Sequence, residues 1–90
     1  MKVDERSLEK IAKVLANRRR ILILKYIKSK KSASVGEIAG FLKLSFKATS
    51  KHLVIMDNAD VLEKVQINLT MEYSLPKISH SLVEKLLELI

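Results

Sequence analysis

The 90-residue sequence predicts a mainly α-helical fold with a two-stranded β-hairpin and a last helix, in the order α-α-α-α-β-β-α. Three observations carry that expectation. Apolar residues recur at helical spacing through residues 4–58. The period then drops from 3.6 to 2 over residues 61–75 and becomes helical again beyond Pro76. Two glycines and one proline leave little room for long loops or for a phosphate-cradling glycine loop.

The first helix is expected over residues 4–16, where Leu8, Ile11, Ala12 and Leu15 share a face and Asp4 stands at the N-cap. Asn17 reads as a joint and as the cap of a second helix, from residue 18 to about residue 29. Its apolar positions Ile21, Leu22, Ile23, Leu24, Tyr26 and Ile27 nearly encircle it. Such a helix is buried on more than one side, either at the centre of the fold or partly against a partner chain. Residues 28–33 are expected to form a polar, basic loop. The Ser-x-x-Glu pattern of Ser34 and Glu37 is a capping box, and it opens a short helix with Val35, Ile38, Ala39 and Leu42 inward. Leu44 and Ser45 make a tight connection, and Ser45 caps a fourth helix running to about Asn58. Ala48, Thr49, His52, Leu53 and Met56 are its inner positions. Two short helices joined in this way form a helix-turn-helix.

Beyond it, Val61, Glu63, Val65 and Ile67 alternate with Leu62, Lys64 and Gln66, and Leu69, Met71 and Tyr73 with Thr70, Glu72 and Ser74. The two runs read as an antiparallel hairpin over residues 61–75, joined near Asn68. Asp60 falls where the preceding helix ends in a left-handed residue. Pro76 suits the first turn of a last helix running to about Leu89. Ile78, Leu82, Leu86 and Leu89 form one stripe on it, and Val83, Leu87 and Ile90 a second. Two stripes imply burial both against the chain's own core and against a second copy.

Composition narrows the function. The absence of cysteine excludes thiolate zinc sites, iron–sulfur clusters, thiol nucleophiles and disulfides. A catalytic site needs a convergent nucleophile or acid–base set, and two histidines in separate elements do not supply one. No enzyme, cofactor or metal is therefore expected. No unbroken apolar run exceeds the four residues of 21–24, and residues 1–20 carry three acids, so neither a membrane span nor a secretory leader is expected and the location is read as cytoplasmic. A chain this short buries only about 60–65% of its unfolded surface, which favours a homodimer. The net charge of +7 points to a polyanionic partner, nucleic acid first. That charge is uneven: residues 1–31 hold 11 basic and 3 acidic side chains, residues 32–60 hold 3 and 3, and residues 61–90 hold 3 and 4.

At this point the chain resembles the arsenic-repressor (ArsR) type of winged-helix transcriptional regulators. The stretch from Leu44 to Leu53 is similar to that family's recognition helix, with Ser50-Lys51-His52-Leu53 as its Ser-Arg/Lys-His-Leu signature. The stretch from Leu15 to Ile21 resembles the opening of the family's second helix, with Arg20 at the usual arginine. Asn58-Ala59-Asp60-Val61-Leu62 matches the turn into the wing, and Tyr73-Ser74-Leu75 the wing's closing strand. The resemblance implies one winged helix-turn-helix domain over residues 1–90, with segments 1–16 and 76–90 as dimerisation helices. Leu8, Ile11, Leu15, Leu82, Leu86 and Leu89 would meet the second copy.

In a helix-turn-helix the second helix lies in the major groove of double-stranded DNA. With residues 45–58 in that role, Lys51 and Lys47 can reach a guanine edge or a phosphate, Ser50 a base or a phosphate, and Phe46 a thymine methyl. Ser34 and Ser45 stand at helix N-termini, where free N–H groups bind phosphate. Lys30 and Lys31 can reach the same backbone or instead complement a helix dipole. Arg18, Arg19 and Arg20 start a helix whose dipole repels them, which suits a nucleic acid or an intersubunit carboxylate, with Arg20 structural. Val54 and Asp57 stand where the family often carries basic residues, and the wing tip Ile67-Asn68-Leu69 lacks the family's glycine and arginines. The alternative function is therefore a protein-interaction module that docks through Phe46, Val54 and the apolar wing tip. The cysteine pair of the family's soft-metal sensors falls on Ser34 and Gly36, which bind no soft metal. His80 and Glu84, at i and i+4, read as a solvated helix face, and His52 as a packing residue.

Overall fold

The computed structural model describes residues 4–90, so positions 1–3 of the expected dimerisation segment 1–16 lie outside the described residues. Helix α1 (Glu5–Leu15) turns Ile11, Val14 and Leu15 inward. Val14 takes the buried place expected of Ala12, which is exposed. Asp4 sits at the N-cap with an extended backbone, but its side chain makes no capping bond. Asn17 caps helix α2 (Arg18–Lys30), its Oδ1 accepting from the Arg20 backbone N–H at 3.2 Å. Ile23, Leu24 and Ile27 have no exposed surface, and α2 packs on α1, α3 and α5 around them. The helix thus holds the centre of the fold, one of the two places expected for it.

A short strand β1 (Ser32–Ser34) follows, where the sequence reads as a loop over residues 28–33. Three residues are too few to display a period of 2, and Ser and Ala have little strand propensity of their own. The strand exists through its partners. Ala33, fully buried, pairs with Tyr73, and the Ser32 hydroxyl donates to Glu72 Oε1 at 2.7 Å.

Helix α3 (Val35–Leu42) opens with the expected capping box. Ser34 Oγ accepts from the Glu37 N–H, and Glu37 Oε1 accepts from the Ser34 N–H, both at 3.2 Å. Helix α4 (Phe46–Asn58) follows across Leu44 and Ser45, with Ser45 Oγ accepting from the Ala48 N–H at 3.1 Å. Its end is a Schellman motif. The Val61 N–H bonds to the Met56 carbonyl at 2.9 Å and the Asp60 N–H to the Asp57 carbonyl at 3.0 Å, with Asp60 left-handed at φ 58°. Val61 and Met56, both fully buried, make the hydrophobic contact that accompanies the motif. Because Val61 and Leu62 are spent in that turn and in the core, the hairpin strands run as β2 (Glu63–Ile67) and β3 (Thr70–Ser74), shorter than the expected 61–75. Asn68 turns the hairpin at φ 58°. The sheet is antiparallel with the order β1-β3-β2, so the two-stranded wing belongs to a three-stranded sheet.

The last helix, α5 (Ser81–Leu89), starts five residues later than Pro76 suggests. A helix begun at Pro76 would have Leu75 at its N-cap, with no side-chain acceptor. His80 has one, and its Nδ1 takes the Leu82 N–H at 3.1 Å. Ile78 therefore lies outside the helix and is exposed. No helix among the described residues is long and apolar enough to cross a membrane.

Both glycines lie inside α3, whereas Lys31, Lys43, Asp60 and Asn68 take the left-handed positions. A Cβ at Gly40 would meet nothing within 4 Å. Gly40→Ala is expected to stabilise the protein by about 0.5–1 kcal/mol, roughly 2–8 °C in Tm. A thermal melt at or below the wild-type midpoint would contradict this.

Candidate nucleic-acid interface

The α3–α4 pair presents one face of α4 outward because the opposite face is anchored. Thr49, Leu53 and Met56 are buried, and the Thr49 hydroxyl donates to the Ser45 carbonyl at 2.9 Å. On the outer face, Lys47 and Lys51 are exposed, Ser50 is half-buried, and Phe46 and Val54 are open to solvent. An open groove of about 620 Å³ runs along this face, and Ser45, Lys47, Ser50 and Lys51 line it together with Val54. The groove thus gathers four of the residues that the sequence singles out for DNA. Phe46 is exposed but does not line it.

The other candidates are placed differently. Ser34 is engaged in its capping box at the start of α3. Lys30 ends α2 with its ammonium 6.0 Å from the Tyr26 ring centroid, and Lys31 is the left-handed C-cap of the same helix. Lys28 belongs with neither. Its Nζ donates to the Leu87 carbonyl at 2.5 Å and the Ile90 carbonyl at 2.9 Å, complementing the negative end of α5. Part of the basic charge of residues 28–31 is therefore engaged by the protein's own last helix at the surface. Of the stripe residues, Ile11 and Leu15 are already buried in the protomer, Leu82 and Leu86 are half-buried, and Leu8 and Leu89 are exposed at 41% and 84%.

One of the N-terminal cations, Arg20, is tied to α4. Arg20 Nε donates to His52 Nδ1, and Arg20 Nη1 to the Val14 carbonyl, both at 3.2 Å. Burial first, then the charges of Arg20, Arg19 and Lys51, hold the His52 imidazole below the ordinary histidine range. Arg19 and Lys51 thus act on one side chain from α2 and α4. Among the described residues the ion pairs are Lys13–Glu9 and Lys85–Glu88, so Arg18 and Arg19 face no carboxylate within 4.0 Å. The Arg20–His52 bond spans 32 residues, and only the likeness of Arg20 to a family arginine marks it in the sequence.

His80 is not on a solvated helix face. Its Nδ1 caps α5, and its Nε2 lies 3.1 Å from Ser7 Oγ, so both ring nitrogens are engaged within the protein. The described residues contain no cluster of three His, Cys, Asp or Glu side chains that could hold a metal.

No protein-family model and no curated protein matches the sequence. Solved structures do. The chain is 30% identical to reduced HlyU from Vibrio cholerae N16961 over 92% of its own length and 83% of that chain, with a TM-score of 0.77. It is also 30% identical to the transcriptional repressor PagR of Bacillus anthracis over 96% of its length and 98% of that chain, with a TM-score of 0.73. At 21% identity, a homodimeric winged helix-turn-helix DNA-binding domain of Mycobacterium bovis Mb0332, a possible ArsR-family regulator, shares the fold with a TM-score of 0.75 over 99% of this chain and 83% of that one. With 30% identity sustained over nearly the whole of PagR, and the helix-turn-helix and wing in the same order, the chain belongs to the winged-helix transcriptional regulators.

Proposed function

We propose that the protein is an ArsR-type regulator that binds double-stranded DNA as a homodimer, with α4 in the major groove and the β2–β3 hairpin as wing. One observation carries this: Lys47, Ser50 and Lys51 line a single open groove on α4, while among the described residues Arg18 and Arg19 have no carboxylate within 4.0 Å. In this role Lys51 and Lys47 meet guanine edges or phosphates, Ser50 a base or phosphate, and Phe46 a thymine methyl. Ser34, Ser45, Lys30 and Lys31 take the flanking phosphates, with the backbone N–H groups at the helix starts. Segments 1–16 and 76–90 bring two copies together through α1 and α5, Leu8 and Leu89 supplying the open apolar surface. The two α4 helices then reach successive major grooves about 34 Å apart. Without a cysteine pair the protein is not a thiolate metal sensor, and its place of action is the cytoplasm, on DNA.

Selection of bound duplexes from a random pool, followed by a salt series on the best one, tests the function. With about six to ten phosphate contacts per dimer, affinity falls roughly 10³–10⁵-fold between 50 and 200 mM salt. Absence of binding at low salt would instead favour a second reading, a docking module without DNA recognition. The observation behind it is an apolar wing edge. Leu69 is 98% exposed, and Ile67, Met71, Phe46 and Val54 are also open.

A further inference from the structure

Arg20 is a corner-piece. Its backbone N–H is capped by Asn17, while its guanidinium bonds the Val14 carbonyl in the last turn of α1 and His52 Nδ1 on the inner side of α4. A guanidinium has only donors, so His52 must accept with Nδ1 and carry its single proton on Nε2. A proton added at Nδ1 would set N–H against N–H. It would also place a further cation among charges that are all positive: Arg20 and Arg19 from α2, and Lys51 from α4.

We propose that Arg20 and His52 form a proton-released latch that holds α4 against the α1–α2 corner, so that acidification frees the helix and weakens specific DNA binding. Arg20 is then a positioning residue, acting through His52 on the DNA-binding function proposed for α4. Burial and the surrounding cations oppose protonation in the folded protein, while the unfolded chain takes the proton near pH 6.5. The stability contributed by the neutral ring is therefore complete above about pH 6.5 and declines as the pH falls below it. The added positive charge strengthens non-specific attraction to phosphate, so the specific and non-specific affinities move in opposite directions.

The test follows the Arg20 Nε–H resonance and the His52 ring in the free protein by NMR from pH 8 to 5, and in parallel the ratio of specific to non-specific DNA affinity. In the wild type the Nε–H signal is expected to lose its protection as His52 titrates, with the affinity ratio falling roughly tenfold, the worth of one hydrogen bond to a charged group. His52→Asn keeps an acceptor at the Nδ1 position but cannot titrate, so its signal and ratio should stay flat. Arg20→Lys keeps the charge without the fork and should also lose the pH dependence, which covers the case of an unfolded Asn variant. Titration of His52 with no change at Arg20 would overturn the latch, as would wild-type pH dependence of the Arg20 signal in His52→Asn. If no duplex binds at any pH, the DNA function fails while the spectra of the free protein still decide the latch.

Discussion

Lys51→Glu is expected to abolish specific DNA binding while leaving the fold intact. Lys51 is exposed on the open face of α4 and lines the groove, so its replacement leaves the core untouched. Losing a good base or phosphate contact costs about 1–3 kcal/mol at each half-site, and a dimer loses two, roughly 10²–10⁴-fold in affinity. Reversing the charge adds repulsion from the backbone. Because Lys51 is one of the cations that disfavour protonation of His52, the comparison belongs at pH 8, where that ring is neutral in both proteins. Titration calorimetry against the selected duplex gives the affinity, and a thermal melt gives the control. Unchanged specific affinity would remove Lys51 from the interface. A collapsed melting temperature would mean that the residue supports the fold.

Leu89→Glu is expected to convert the proposed homodimer into a folded monomer. Leu89 is 84% exposed, so the substitution spares the protomer core, which cannot be said of half-buried Leu86. In a two-fold interface each change counts twice. Withdrawing two leucines from burial costs about 3–6 kcal/mol, which weakens dimerisation roughly 10²–10⁴-fold before the carboxylates' desolvation is added. Light scattering across a concentration series reads the mass directly. A dimer that persists at micromolar protein would place the interface away from this end of α5.

The legible parts of this protein are those written in neighbouring residues. The Ser34–Glu37 capping box, the Asn17 and Ser45 caps and the left-handed Asp60 are each local patterns, and each is present where the residues indicate. The helix-turn-helix follows from them. The less legible parts are pairings across distance. Strand β1 depends on Tyr73 and Glu72, some 40 residues away, and Ser-Ala-Ser alone has no period to reveal it. Lys28 reads as part of a basic loop, whereas its ammonium, exposed as it is, bonds carbonyls of α5 some 59 residues later. Pro76 misplaced the last helix because proline permits a helix start, whereas the acceptor that satisfies the first N–H groups is a histidine. For the candidate site, the exposed face of α4 was readable from periodicity. The bond by which Arg20 ties that helix to the first two was not.

The pairing of β1 with β3 has a bearing on recognition itself. β1 runs directly into Ser34, the cap of α3, and β3 is the inner strand of the wing. The hairpin is thereby joined through the sheet to the start of the helix-turn-helix. In the DNA-binding role proposed for this chain, the wing and α4 are joined through the sheet before contact, so a duplex would meet both elements already in register. Binding by such a preorganised surface loses little conformational entropy on contact, and discrimination between sequences falls to the fit of the DNA.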